Sequence, residues 1–334
     1  MLAALALSAT ACSNDNDTTT YGPREAVITA GINTPVTRAN GATWENDKIG
    51  VMVTAAPSSE MENIYKNVQY NTTSSSSDAA TFTATVPSSS AAGQSYGIFF
   101  QDADETVTFA AYGPYQTSAN AATLPGTNSD GIISGISTSN QSTRDAQKAF
   151  DFIYASGATA TNSNYTVQFQ GNNAFSHKMS RLIIKFMADP TAGFKATEVS
   201  AAGSTYSITG LIHNGTFNVT TGEAQASVPG SSAAGSTDWP LNTNSLRTPN
   251  ETTTATFTSI LYPQDHSASG LTVKATIAGQ TYEATIMPNL ESGKSYTYTI
   301  TAKKQGLEVT GCTVTDWTSV DGGSADATIP KNNP

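Results

Sequence analysis

Charge is scarce in this sequence. Only 13% of its 334 residues are Asp, Glu, Lys or Arg, roughly half the share of about 25% in ordinary soluble domains. Basic residues are the scarcer sign: 16 Lys and Arg against 26 acidic residues, for a net charge of -10. An acidic chain without a Lys/Arg cluster repels phosphate backbones, which excludes nucleic acid as a partner. Histidine occurs three times, at His177, His213 and His266. None has the spacing of a metal-ligand set, so all three read as ordinary surface or half-buried residues, and no metal or cofactor is expected. Long apolar runs are missing too. The N-terminal run is too short for the roughly 20 residues that span a membrane. No long helical period is present, and one short helix between Ser142 and Tyr154 is the most the pattern allows.

Ser, Thr, Asn and Ala make up for the missing charge, and short strands dominate. Phe82, Ala84 and Val86 alternate with Thr. Tyr165, Val167 and Phe169 alternate with polar residues, as do Leu182, Ile184 and Phe186. Leu271, Val273, Ala275 and Ile277 lead through Gly279 into Tyr282, Ala284 and Ile286, a hairpin pattern. Tyr296, Tyr298 and Ile300 alternate with Thr297, Thr299 and Thr301. Each pattern predicts apolar groups on one sheet face and hydroxyls on the other. Many such strands predict β-sandwiches, and the chain is long enough for about two domains. The boundary is expected near Gly171-Asn-Asn173. Ser74–Asp78, Ser88–Ala92 and Ser231–Thr237 read as exposed loops.

Two catalytic-looking motifs fail on context. Gly93-Gln-Ser95-Tyr-Gly97 has nucleophile-elbow spacing, but that chemistry needs a strand before Ser and a helix after it. Here a loop precedes and the strand Tyr96–Phe100 follows. Asp102-Ala-Asp104-Glu105 lacks the Gly and distal Glu of a calcium loop and reads as a solvated turn. No enzyme is expected.

The N-terminus carries an export signature. Met1 to Ala11 is an apolar run ending in small residues before Cys12. It reads as a signal peptide shortened at its start, since the basic n-region is missing. Acylation of Cys12 is expected, with an ordinary cut near Ala11 as the alternative. A polar tether, Ser13 to Thr20, follows. With Cys12 acylated, Cys312 has no disulfide partner and reads as a small buried hydrophobe. Asp17-Thr18-Thr19 matches a short O-glycosylation pattern at Thr18. Next comes a strand with Ala26, Ile28, Ala30 and Ile32 on one face. Arg38 stands between loop residues, where a protease could reach it.

A set of ordered motifs resembles the fimbrillin family of type V pilins. They are the lipobox-like Cys12; Thr37-Arg38-Ala39 followed by Trp44 and Asp47-Lys-Ile49-Gly50-Val51; and Asp151-Phe-Ile-Tyr154-Ala155. Further on come Phe175-Ser-His177-Lys-Met179-Ser-Arg181-Leu182, Gly293-Lys-Ser-Tyr296-Thr-Tyr298-Thr-Ile300, and Gly311-Cys312-Thr-Val314-Thr-Asp316-Trp317. The resemblance implies an all-β chain of two tandem transthyretin-like β-sandwich domains. Residues 1–11 would be signal and residues 12–38 the lipidated tether with a removable first strand. Residues 39–172 and 173–334 would be the two sandwiches. It implies delivery to the outer membrane as a lipoprotein and then assembly into a cell-surface fimbria, with an Arg-specific protease cutting between Arg38 and Ala39. Loss of the Ala26, Ile28, Ala30, Ile32 strand would open a groove for another subunit's C-terminal strand. The candidate donor here carries Ala325, Ala327 and Ile329 after the flexible Asp321-Gly-Gly323. The expected partners are other pilin subunits, the protease, and host or bacterial surface ligands. The alternatives are a tip adhesin or a non-polymerising glycan-binding lipoprotein, with Tyr112-Gly-Pro-Tyr115 and Trp239-Pro240 as the aromatics able to stack on sugars.

Overall fold

The computed structural model describes residues 22–31, 44, 46–57, 59–72, 80–85, 96–101, 105–191, 193–227 and 237–317. The chain is all-β. Its first sheet uses β1 (Val27–Ala30), β2 (Lys48–Ala55), β3 (Val68–Asn71), β4 (Ala80–Ala84) and β5 (Thr106–Gly113). After β6 (Ile132–Ser137), which joins another sheet, come β7 (Ile153–Thr161), β8 (Thr166–Phe169) and β9 (Ser176–His177). The strand order is β8-β1-β4-β3-β2-β5-β7-β9. The sheet curls over, because residues from its two ends share one core. Ile28, Phe82, Val167 and Phe169 belong to the same buried cluster as Val51, Phe109 and Ala158.

The remaining strands are β10 (Ser180–Ala188), β11 (Thr205–Thr209), β12 (Asn214–Asn218), β13 (Glu223–Ala226), β14 (Trp239–Pro240), β15 (Leu246–Arg247), β16 (Thr254–Leu261) and β17 (Gln264–Asp265). They continue with β18 (Leu271–Ile277), β19 (Gln280–Ile286), β20 (Asn289–Leu290), β21 (Lys294–Lys303) and β22 (Gly306–Asp316). The sheets β15-β16-β10-β21-β22 and β14-β11-β18-β19 enclose a second core. The chain passes from the first sheet to the second set at residues 178–179, since β9 still pairs with β7 while β10 pairs with β16 and β21. Gly171–Asn173 is a single 3-10 turn before β9.

Alternation places several strands as expected. Leu182, Ile184 and Phe186 are buried along β10. The β18–β19 hairpin turns on Ala278 and Gly279, both at positive φ (49° and 78°). Two positive φ values suit a two-residue hairpin turn, whose twist matches the flanking strands. β21 follows the same alternation. Tyr296, Tyr298 and Ile300 are buried in the second core, while Thr297 and Thr299 are half-buried and Thr301 is buried, its hydroxyl sharing a hydrogen bond with that of Thr310 at 2.9 Å.

Other expectations shift for similar reasons. Tyr165 lies outside β8 and is 37% exposed. Tyr96–Phe100 forms an isolated bridge, Glu25 to Phe99, rather than a strand. Glu105 is buried, not solvated, and accepts a hydrogen bond from the Gln101 amide at 3.2 Å. Cys312 is half-buried against the second core, and burial pushes its thiol pKa up, which keeps it protonated. The expected helix is real but short, at Arg144–Lys148, capped by the Thr143 side chain. Three further helices of four to six residues, at Ser59–Ile64, Ala196–Ser200 and Leu241–Asn244, lack enough turns to show a period.

The two halves are joined by shared packing. β6 pairs with β12, from the far side of the chain. A third core mixes Tyr112, Phe152 and Tyr154 with Phe217, Ile260, Tyr262 and Trp317. Phe152 stacks on Phe217 at 4.4 Å. Gln141 works as a stand-in for a strand. Its amide donates to the Ile260 carbonyl (3.0 Å) and accepts from the Ile260 amide (2.6 Å) along β16. Gln147 donates to the Thr258 carbonyl beside it. Backbone groups at that edge are thereby satisfied without another strand.

Candidate functional site: the slot filled by the first strand

The first strand is held on both edges. β1 pairs antiparallel with β4, placing Ile28 against Phe82 and Ala30 against Ala80. It pairs parallel with β8, placing Ile28 against Val167 and Ala30 against Phe169. Paired residues project to the same face, so Phe82, Ile28 and Val167 form one buried rung, and Ala80, Ala30 and Phe169 form the next. Ala26, Ile28 and Ala30 are 3%, 0% and 0% exposed. Val27 and Thr29 point the other way and are half-buried.

Pairing extends beyond the regular strand. The Ala26 amide donates to the Ile98 carbonyl at 2.8 Å, and the Phe100 amide to the Arg24 carbonyl at 3.1 Å. On the other side the Val27 amide donates to Tyr165 and the Gly31 amide to Phe169, at 2.9 and 2.8 Å. Gly97 leaves the space that the Glu25 side chain occupies, since a Cβ there would overlap it. Arg24 lies over the Tyr165 ring at 5.4 Å. Removing this one segment would therefore bare two strand edges at once, together with the places of Ala26, Ile28 and Ala30. Bared edges and an apolar trough are what a foreign strand recognises.

The sequence-derived site residues divide into two groups. Ala26, Ile28 and Ala30 lie together in the slot. Cys12, Ile32, Arg38, Ala39, Ala325, Ala327 and Ile329, with Thr18, lie outside the described residues. So do Ser95, Asp102 and Asp104. Two of the three histidines, His177 and His266, are buried rather than surface or half-buried; His213 is half-buried, and burial pushes its pKa down to about 4. His213 shares a hydrogen bond with the Thr138 hydroxyl at 3.1 Å.

The two aromatic motifs stand apart from the slot. Trp239 is 7% exposed, donates through Nε1 to the Ser139 carbonyl, and packs on His213 at 4.6 Å. So little of its ring reaches solvent that sugar stacking there is not supported. Tyr115 is half-buried and lines an open cleft of about 460 Å³ with Asp47, Lys48, Asp145 and Lys148.

Residues 37–317 match the fimbrillin-like family. The chain belongs to that family. This fimbrillin-like chain is 28% identical over 324 residues to a candidate fimbrium subunit, Fim1C, of Bacteroides uniformis. That match covers 93% of this chain and 92% of the relative. It is also similar to the crystal structure of a candidate cell adhesion protein from Bacteroides ovatus, at 28% identity and a TM-score of 0.68. That likeness covers 90% of this chain and 100% of the other.

The motifs that carried the resemblance have structural work in the fimbrillin-like fold. Trp44 meets Phe82 and Phe175 edge-on at 5.0 and 5.5 Å, beneath the slot. Gly50 must lack a side chain, because a Cβ there would overlap Tyr112 and Asn67, which are hydrogen-bonded to each other at 2.9 Å. Sequence reasoning missed that three of the motifs meet. Asp151, His177, Arg181 and Trp317 converge in one buried cluster. The only linear signal was the placement of scarce residue types, His and Trp, inside ordered motifs.

Proposed function

We propose that this chain is a structural subunit of cell-surface fimbriae, with a role in adhesion, built as two tandem transthyretin-like sandwiches. It is exported as an outer-membrane lipoprotein on Cys12, cut between Arg38 and Ala39 by an Arg-specific protease, and polymerised by strand exchange. The observation that carries this reading is the position of β1. The first strand among the described residues fills a slot between β4 and β8 instead of lying at a sheet edge. A cut at Arg38 would sever it from every later strand and leave the body intact. A cut after Arg24 would not, because β1 would stay attached. The family membership and the names of the two relatives favour the same reading.

N-terminal sequencing of protein shed from cells tests the reading. The mature subunit should begin at Ala39. A mature chain that begins at Cys12 would favour a retained lipoprotein that never polymerises. Export has its own test. Cys12→Ala should abolish labelling by a fatty-acid analogue and stop delivery to the outer membrane, and normal labelling of that variant would exclude lipidation at Cys12.

A further inference from the structure

We propose that Asp151, His177, Arg181 and Trp317 form a tension clamp: they root Trp317, the residue just after β22, in the N-terminal sheet, so that load applied through the residues that follow in sequence does not peel β22 from β21. The proposed function enters only as the source of the load, since it makes those residues the link to the next subunit.

The geometry is one of a fixed point. β22 lies at the edge of its sheet, paired on one side with β21. Its last residue, Asp316, pairs with Lys294 at the start of β21. A pull on the C-terminal end of such an edge strand meets its hydrogen bonds one at a time, each worth little alone. The first group such a pull meets is Trp317. Its amide donates to the Gly293 carbonyl at 2.7 Å. Its ring lies flat on the His177 ring, with centroids 4.0 Å apart and planes 5° from parallel. The Arg181 guanidinium sits over the same Trp ring at 5.4 Å, and its Nε donates to the Ser295 hydroxyl at 2.9 Å.

From His177 the path leads away from β22 altogether. His177 Nδ1 lies 2.8 Å from Asp151 Oδ1, with both side chains buried. His177 pairs with Ile153 of β7, and the next amide, Lys178, donates to the Phe152 carbonyl at 2.8 Å. β7 pairs with β5 and belongs to the sheet that holds the slot. Load entering at Trp317 thus reaches the slot-bearing sheet through one ring stack, one buried hydrogen bond and one strand pair.

The cluster is also built at a cost. Nε2 of His177 and Nε1 of Trp317 are buried without a hydrogen-bond partner among the described residues, which is unfavourable. Arg181 is buried enough that its pKa falls to about 10, offset in part by the Asp151 carboxylate. Apolar side chains would fill the same space without those penalties.

A pulling experiment on the full-length monomer tests this without any polymer. One handle goes on an azide-bearing residue at Thr81, on the exposed face of β4, and the other on the C-terminus. At a fixed force Trp317→Leu should open at least about ten times faster than the wild type, because forced opening follows the unfolding rate. The force-free unfolding rate should change much less. His177→Phe, which keeps a stacking ring but drops the Asp151 contact, should fall between the two. Equal opening rates under force for wild type and variants would overturn the clamp. So would an equal acceleration with and without force, which would make the cluster an ordinary stabilising contact. If Trp317→Leu does not fold, His177→Phe and Asp151→Asn, which keep ring or side-chain shape, decide by the same two criteria.

Discussion

Arg38→Ala is expected to leave an unprocessed, monomeric lipoprotein on the outer membrane. The argument is one of competition for a single slot. In the uncut chain β1 is tethered to its own slot, and a short tether holds a strand at an effective concentration of about millimolar. A donor strand on another subunit, present at about micromolar, would face a competitor favoured roughly a thousand-fold before any difference in contacts. β1 also fits: Ile28 is fully buried between Phe82 and Val167, and main-chain hydrogen bonds run along both edges. Fibre yield in the mutant should fall by about three orders of magnitude, read as loss of the high-mass ladder in unboiled samples. Efficient polymerisation of Arg38→Ala would show that release of β1 by this cut is not the trigger.

Deleting the residues after Val320 should yield a folded, cleavable monomer that cannot extend a fibre. The tail is attached beyond Trp317, so its loss leaves both sheets of the second core intact. What the polymer loses is the whole of the strand that would replace β1. Each main-chain hydrogen bond in such a strand is worth about 0.5–1.5 kcal/mol net. Burying Ile329 adds about 1.5–3 kcal/mol. Ile329 is the one large residue among the three anchors, and Ile28 the one large residue in the described part of β1, so Ile329 is expected in the place of Ile28. Ile329→Asp should therefore approach the truncation, since a carboxylate at a position with 0% exposure must be neutralised or leave. Long fibres from the truncated, cleaved protein would move the donor to Leu307–Trp317. That alternative carries a penalty, because β22 is already paired with β21 from Gly306 to Asp316 and would have to leave it.

Much of the architecture was legible in the residue order, because a strand buried on one face writes a period of two. β4, β8, β10, β18 and the β18–β19 hairpin follow from alternation and one Ala-Gly turn. In β21 alternation gave the faces but not the degree of burial: opposite Tyr296, Tyr298 and Ile300, Thr297 and Thr299 are half-buried and Thr301 is buried. The four short helices among the described residues were mostly invisible because four to six residues do not complete enough turns to repeat.

By itself the sequence determined that the chain is acidic, strand-rich and poor in metal ligands, that its motifs run in the order of the fimbrillin-like family, and that Ala26, Ile28 and Ala30 share a face. Local pattern suffices for these, since each depends on neighbours in the chain or on composition. The tertiary structure alone decided which strands flank β1. Strand pairing is non-local: Ile28 meets Val167 across 139 positions, and no period in either segment records the other. It alone brought Asp151, His177, Arg181 and Trp317 together, from three motifs that read as separate in the sequence. It also showed two of the three histidines, His177 and His266, to be buried and hydrogen-bonded, because burial is set by what packs from elsewhere in the chain.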